Sequence, residues 1–138
     1  MSVLVTDAGF APDDWTGEIL ALDALKAAEP LPAAGIAVDF PNDRDPHELE
    51  PFLDRLALVR VAFPASSDGR GFSIGRELRA MGYKGRLRAA GPLIADQFRF
   101  ARRVGFDEVE LPDAVAARQP EEQWHLRKQG SYQDRLLR

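Results

Sequence analysis

The chain has 138 residues, of which 45% are hydrophobic and 29% charged, and its formal net charge is −4. Its size suits one domain, and it has no apolar run near the ~20 residues that span a bilayer. Cysteine is absent and only two histidines are present, which excludes disulfides, thiolate chemistry and cysteine-ligated iron–sulfur clusters. The N-terminus lacks a signal-peptide pattern. We therefore expect a soluble, cytoplasmic protein with no metal site.

The first half of the chain predicts short strands and one longer helix. The segments are a strand at 3–5, a turn at 9–14, a helix at 18–28 and a buried strand at 36–40. Asp45 and Pro46 then have the residue types of a helix N-cap and first position. Because Pro51 removes an amide donor, we expect one turn, a kink and a further turn over 52–56.

The second half alternates regularly between strands and helices. The segments are a strand at 58–63, a helix at 73–81, a strand at 86–90, a helix opened by Gly91-Pro92, a strand at 106–111 and a short helix at 112–118. Gly82 and Gly105 are expected to end the two longer helices, and Ile94 is expected to face inward. Residues 119–138 are predicted to be a polar C-terminal tail.

Strand–helix alternation with short loops predicts one small α/β domain over residues 1–138, with a largely parallel sheet. An open sheet is favoured at this length, and a partial TIM-barrel-like arrangement is the alternative. Ligands bind at the carboxyl ends of parallel strands. We therefore expect Asp39 and Asp43 to be edge carboxylates, and Gln97 to lie near the same edge.

The loop from Ser66 to Gly75 is the best candidate site in the sequence. It leads from a strand to a helix N-terminus, where unpaired amides favour anions. Gly69 and Gly71 would let a ligand approach the backbone, and the guanidinium of Arg70 suits oxyanions. Two alternatives remain open. The glycine spacing weakly indicates a dinucleotide-binding loop, and the segment could instead be a purely structural turn. In the structural alternative, Asp68 satisfies local amides and Ser73 caps the helix.

The two halves of the chain carry opposite charge. Residues 1–68 have a net charge of −9 and residues 69–138 a net charge of +5, with the bases concentrated between 70 and 103. This asymmetry favours an anionic ligand or an acidic partner, although a solvated helix face is the alternative. We expect Arg79 and Arg88 to add affinity around the Arg70 loop.

Residues 63–111 resemble a bacterial family of unknown function, domain-of-unknown-function family 934, often labelled an oxidoreductase of sulfite reduction. The resemblance lies in these segments: Asp68-Gly69-Arg70-Gly71-Phe72-Ser73, Gly82-Tyr83-Lys84-Gly85, Asp96-Gln97 and Gly105-Phe106-Asp107. It implies a context, because the genes of this family commonly neighbour those for sulfite reductase and sulfonucleotide reductase. Arg86 and Pro92 replace residues that are often acidic in the family.

From this resemblance we expect an accessory protein of assimilatory sulfate or sulfite reduction. It would recognise a small anion or an acidic partner, such as one of those two reductases, through Asp68, Gly69, Arg70 and Gly71. The alternatives are a flavin- or nicotinamide-dependent oxidoreductase and a purely structural assembly module. No catalytic residue can be named, and the cofactor, if any, and the oligomeric state are left open. We expect neither a nucleic acid nor a membrane as partner.

Overall fold

Seven strands form one mixed sheet in the computed structural model, which describes residues 2–119, 121 and 124. The strands are β1 (Ser2–Thr6), β2 (Gly9–Pro12), β3 (Ile19–Ala21), β4 (Ile36–Phe40), β5 (Leu56–Ala62), β6 (Arg86–Ala90) and β7 (Glu108–Pro112). Their order across the sheet is β2-β1-β7-β6-β5-β4-β3. Strands β3 to β7 pair in parallel, whereas β1 pairs antiparallel with both β2 and β7. The predicted largely parallel, unclosed sheet is therefore confirmed.

The connections between the strands contain five helical segments. These are α1 (Leu22–Ala27), a 3₁₀ helix (Pro46–Arg55), α2 (Arg70–Ala80), α3 (Ala95–Val104) and α4 (Asp113–Arg118). None of the helices in the described part of the chain combines the length and apolar character needed to cross a membrane.

The core lies between one face of the sheet and these helices. Alternate residues of β4 to β7, such as Val38, Val61 and Leu87, are fully buried there and pack with Leu78 of α2 and Phe98 of α3. The strands run in sequence order from β3 to β7, so every crossover moves in the same direction. Because crossovers are right-handed, the helices collect on one face. The other face has no helical layer from these crossovers.

Several boundaries differ from the sequence predictions. Residues 9–12 form an edge strand rather than a turn, because β1 supplies an antiparallel partner. The predicted helix at 18–28 is wrong at its start, since residues 19–21 pair with β4 as β3. Pro51 lies inside a continuous 3₁₀ helix, because its fixed φ matches that conformation.

Local sequence signals were sufficient to predict the C-terminal ends of α2 and α3. Gly82 and Gly105 adopt φ values of 102° and 116° just beyond α2 and α3, which confirms them as the predicted ends. The starts were less accurate: α2 begins three residues before 73. The prediction that Ile94 faces inward is wrong, since it precedes α3 and is 43% exposed.

Candidate functional site

The loop after β5 is held by the Asp68 carboxylate. Asp68 accepts hydrogen bonds from the Arg70 amide (3.1 Å), Nε (3.1 Å) and Nη2 (2.8 Å), and from Asn42 Nδ2 (2.8 Å). These donors, Arg70 first among them, hold the pKa of Asp68 well below its usual range. The carboxylate therefore already lies where the sequence placed an external anion. Arg70 remains 63% exposed and can reach solvent.

The glycines of this loop have packing roles. A Cβ on Gly71 would overlap the ring of Phe63, so this position lets α2 approach β5 closely. Gly69 is the N-cap residue of α2, and open space surrounds the position of a Cβ there. Ser73 is exposed inside α2 and does not cap it.

Gln97 connects the start of α3 to the same loop. Its Nε2 donates to the Ser66 carbonyl (2.6 Å), and its Oε1 accepts from the Ile94 amide (3.0 Å). Asn42, Asp68 and Gln97 therefore link three successive loops at the carboxyl edge of the sheet. Asp43 is exposed in the loop after β4. The pKa of Arg70 is raised mainly by Asp68 and to a lesser extent by Asp43.

Arg79 lies at the opposite end of the sheet. Its guanidinium donates to the carbonyls of Gly105 (2.9 Å), Tyr83 (3.0 Å) and Gly85 (2.9 Å), and to the Asp107 carboxylate (2.9 Å). These residues precede β6 and β7, so Arg79 fastens the amino-end loops and does not surround the Arg70 loop.

Arg88 lies on the face of the sheet away from the helices and is completely buried. It donates to Glu108 (2.6 Å) and Glu110 (2.8 Å) on the neighbouring strand. Burial opposes its charge, but these carboxylates outweigh that effect and raise its pKa. The charge of Arg88 is therefore compensated within the fold, while its Nη2 is buried and has no hydrogen-bond partner among the described residues. The structure does not bring Arg70, Arg79 and Arg88 together.

Charged side chains continue across this face, which we call the charged face. Its members are Asp39, Arg60, Arg86, Arg88, Glu108 and Glu110. Arg60 donates from Nη2 to Asp39 (2.9 Å) and lies 3.4 Å from Glu110. Arg86 donates to Glu108 (2.8 Å) and to Asp14 (2.8 Å), which crosses over from the segment after β2. The bases on the two central strands, β5 and β6, are therefore flanked by acids on β4 and β7.

Sequence reasoning missed most of this face. It named Asp39 and Arg88, but for different roles. The available signal was a period of two within single strands, with Arg86 and Arg88 in one and Glu108 and Glu110 in another. Which strands would be neighbours, and so which charges would pair, was decided by the sheet order.

A cavity of about 430 Å³ opens on the charged face at the carboxyl ends of the strands. Its lining is mainly small or apolar, with three charged side chains at its border. The lining residues are Ala21, Leu22, Asp39, Phe40, Pro41, Arg60, Ala62, Ala90 and Glu110. We call it the carboxyl-edge cavity.

A second exposed feature lies on the outer side of α2 and α3. Phe100 is 40% exposed and contacts Phe72 edge-on, with 4.9 Å between ring centroids. Arg76 follows Phe72 by one turn, and Arg103 follows Phe100 by nearly one turn. Both arginines are exposed and make no hydrogen bond or ion pair with any residue the structure describes. We call Arg76, Phe100 and Arg103 the basic surface.

Within the described ranges, no three histidine, aspartate or glutamate side chains are grouped to hold a metal ion. His47 is exposed, its Nδ1 lies 2.9 Å from Asp45, and that contact raises its pKa.

Together these features define a small α/β protein with a half-covered, largely parallel sheet. The chain belongs to the family described as "Bacterial protein of unknown function (DUF934)", which matches residues 37–137. No curated protein and no solved structure matches it.

Proposed function

We propose that this chain is an accessory protein of assimilatory sulfate or sulfite reduction that recognises an acidic partner. The family resemblance supports the pathway, because genes of this family neighbour those for sulfite reductase and sulfonucleotide reductase. Recognition would use the exposed guanidinium of Arg70 and the basic surface that follows it along α2 and α3.

One observation carries this proposal: the fold consumes most of the clustered bases but leaves two on one exposed surface. Arg79, Arg86 and Arg88 are tied to carbonyls and carboxylates of the chain itself. Arg76 and Arg103 have no such partner among the described residues. An exposed aromatic ring flanked by arginines is typical of interface anchors, in which these residue types are enriched.

Arg76 and Arg103 lie at similar heights along their two helices, which supports a single partner that contacts both. Both helices cross over between parallel strands, so α2 and α3 run in the same direction. The Phe72–Phe100 contact fixes their relative height, and both arginines lie on its C-terminal side. A partner carboxylate cluster could therefore meet both guanidinium groups at once.

The ionisation of Asp68 favours a role in recognition, and not in proton transfer, for the Arg70 loop. Its lowered pKa keeps it ionised at neutral pH, whereas a general base works best with a pKa near the operating pH. Its oxygens also receive four donors, which hold the loop in one arrangement.

The test measures binding of the purified chain to purified sulfite reductase and sulfonucleotide reductase by calorimetry. We expect one of them to bind, with affinity that weakens as salt rises. Arg76→Glu/Arg103→Glu should weaken that binding at least about tenfold. Arg55→Glu/Arg118→Glu makes the same charge change at exposed positions outside the basic surface and should leave the affinity unchanged.

The other outcomes separate the alternatives. A flavin absorbance band in the purified protein, with no binding to either reductase, would favour the oxidoreductase. Binding that the double variant leaves intact would favour an assembly module that docks elsewhere. For the anion alternative, Arg70→Ala should abolish any saturable binding of sulfate or sulfite; if it does not, the loop is not the anion site.

A further inference from the structure

We propose that the carboxyl-edge cavity binds a small molecule with a flat apolar body and a cationic, hydrogen-bond-donating end. This site lies on the charged face, on the other side of the sheet from α2 and α3. The inference therefore goes beyond the proposed function and does not depend on it.

The topology leaves this end of the sheet accessible. In parallel sheets, ligands bind beyond the carboxyl ends of the strands, where loops and strand ends together form a crevice. Here the crossovers of β3 to β7 collect the helices on one face, so the crevice opens on the other. In barrels built from the same succession of strands, the site also lies at the carboxyl ends.

Small side chains create the depression. β3, β5 and β6 end at Ala21, Ala62 and Ala90, and all three line the cavity. Ala62 and Ala90 are direct neighbours in the register of the sheet. Leu22, Phe40 and Pro41 complete the apolar part of the lining. A volume of about 430 Å³ lies in the range of small-molecule sites.

The charged side chains at the border of the cavity determine which charge the polar end of the ligand should carry. Asp39 and Glu110 lie on either side of Arg60, and the Asp39 side chain is 43% exposed. The connected network around them has more carboxylates than guanidinium groups. Its members are Asp13, Asp14, Asp39, Glu108, Glu110, Arg60, Arg86 and Arg88. With five acids against three bases, it repels an added anion and attracts a cation.

Arg60 cannot easily turn toward an anion. It binds Asp39 through both Nε and Nη2, a two-pronged arrangement that matches guanidinium and carboxylate geometry. An ammonium or amidinium group would instead use remaining lone pairs of Asp39 or Glu110 without breaking that pair. The ligand's flat body would then lie over Ala62 and Ala90.

The experiment compares two matched probes that differ only in charge. Benzamidine and benzoate are titrated into isotopically labelled full-length chain, and amide chemical shifts are followed by NMR. We expect benzamidine to shift the amides of Ala62 and Ala90 saturably, with a Kd in the millimolar range that suits so small a probe. Benzoate should not shift them.

Two variants and a control test the location. Ala62→Leu fills the cavity and should abolish the benzamidine shifts, whereas Ala80→Leu on the exposed end of α2 should leave them unchanged. Asp39→Asn should weaken benzamidine at least about tenfold, because it removes a charged acceptor. Asp39→Asn also tests the location of the site if Ala62→Leu fails to fold.

Three results would overturn the proposal. One is benzoate binding as tightly as benzamidine. Another is benzamidine binding that persists in folded Ala62→Leu and in Asp39→Asn. The third is the absence of saturable shifts at Ala62 and Ala90 with either probe.

Discussion

The arginines of the charged face and those of the basic surface differ in burial and in pairing, although they have the same side chain. Arg88 is fully buried and held by Glu108 and Glu110, and Arg60 and Arg86 are paired beside it. Arg76 and Arg103 are exposed and have no hydrogen-bond or ion-pair partner among the described residues. The arginines of the charged face are therefore bound within the fold, whereas those of the basic surface remain available for another molecule.

The physical reason is the cost of desolvating a charge. A buried guanidinium is tolerated only when carboxylates replace its lost water, so the strands beside β6 must supply them. An exposed guanidinium keeps its water and needs no partner. Regional net charge hides this distinction, because both kinds of arginine occur between residues 70 and 103.

The largest effect should come from breaking the buried network. Arg88→Met leaves Glu108 and Glu110 facing each other with less compensation, and should lower the free energy of unfolding by about 3–5 kcal/mol. Urea denaturation measures it. Arg88→Met/Glu108→Gln/Glu110→Gln removes the uncompensated charges and should recover much of the loss. Equal midpoints for Arg88→Met and the unmodified protein would contradict the structural role of Arg88.

A smaller loss should follow from Arg79→Ala, which removes four donor contacts to the loops before β6 and β7. We expect a loss of about 1.5–3 kcal/mol, since charged hydrogen bonds contribute about that amount and the site is partly exposed. Arg79→Lys keeps the charge but not the planar fork, and should recover less than half of the loss in the same urea measurement. Full recovery by lysine would show that charge alone matters.

The partly exposed ion pairs around Glu48 should make the stability depend on pH. Arg44, followed by Lys26, lowers the pKa of Glu48 from 4.5 to about 2. The lowered value means that Glu48 stabilises the fold above its ordinary pKa, and that this contribution is lost as the pH falls from 4.5 through about 2. Glu48→Gln should therefore lose less stability than the unmodified protein over that range.

Urea midpoints measured between about pH 5 and pH 2 check this difference. Glu50→Gln is the matched control, because it alters the same 3₁₀ helix at an exposed position that has no ion pair among the described residues. An identical acid dependence for Glu48→Gln and the unmodified protein would rule out the ion pairs as its cause.

The smallest effect on stability is expected at the basic surface. Arg76→Ala and Arg103→Ala should each change the free energy of unfolding by no more than about 0.5 kcal/mol, because neither side chain has a described partner to lose. Thermal or urea unfolding measures this. A loss of more than about 1 kcal/mol in either variant would place that arginine with the structural set.

Local signals predicted much of the fold. Apolar or alternating segments marked the strands near 36–40, 58–63 and 86–90, and Gly82 and Gly105 marked helix ends through their left-handed conformation. They failed at β2 and β3, which are short and lie at the two edges of the sheet. Such strands are stabilised by their neighbour more than by their own residues.

The candidate sites were less predictable. Asp68 and Arg70 are only two residues apart, so a local pair between them is the kind of contact that a short segment can indicate. The carboxyl-edge cavity gathers Ala21, Asp39, Ala62, Ala90 and Glu110 from five strands, so no segment alone contains its pattern.

By itself, the sequence determined the α/β class, the parallel strand–helix alternation, the absence of cysteine chemistry and the basic stretch from 70 to 103. These follow from short-range periodicity and from composition. Only the tertiary structure decided which arginines are paired, because pairing depends on which strands become neighbours. It also decided that the helices lie on one face, which leaves the charged face and its cavity on the other. Both outcomes arise from the sheet order, a long-range property set by packing and crossover handedness.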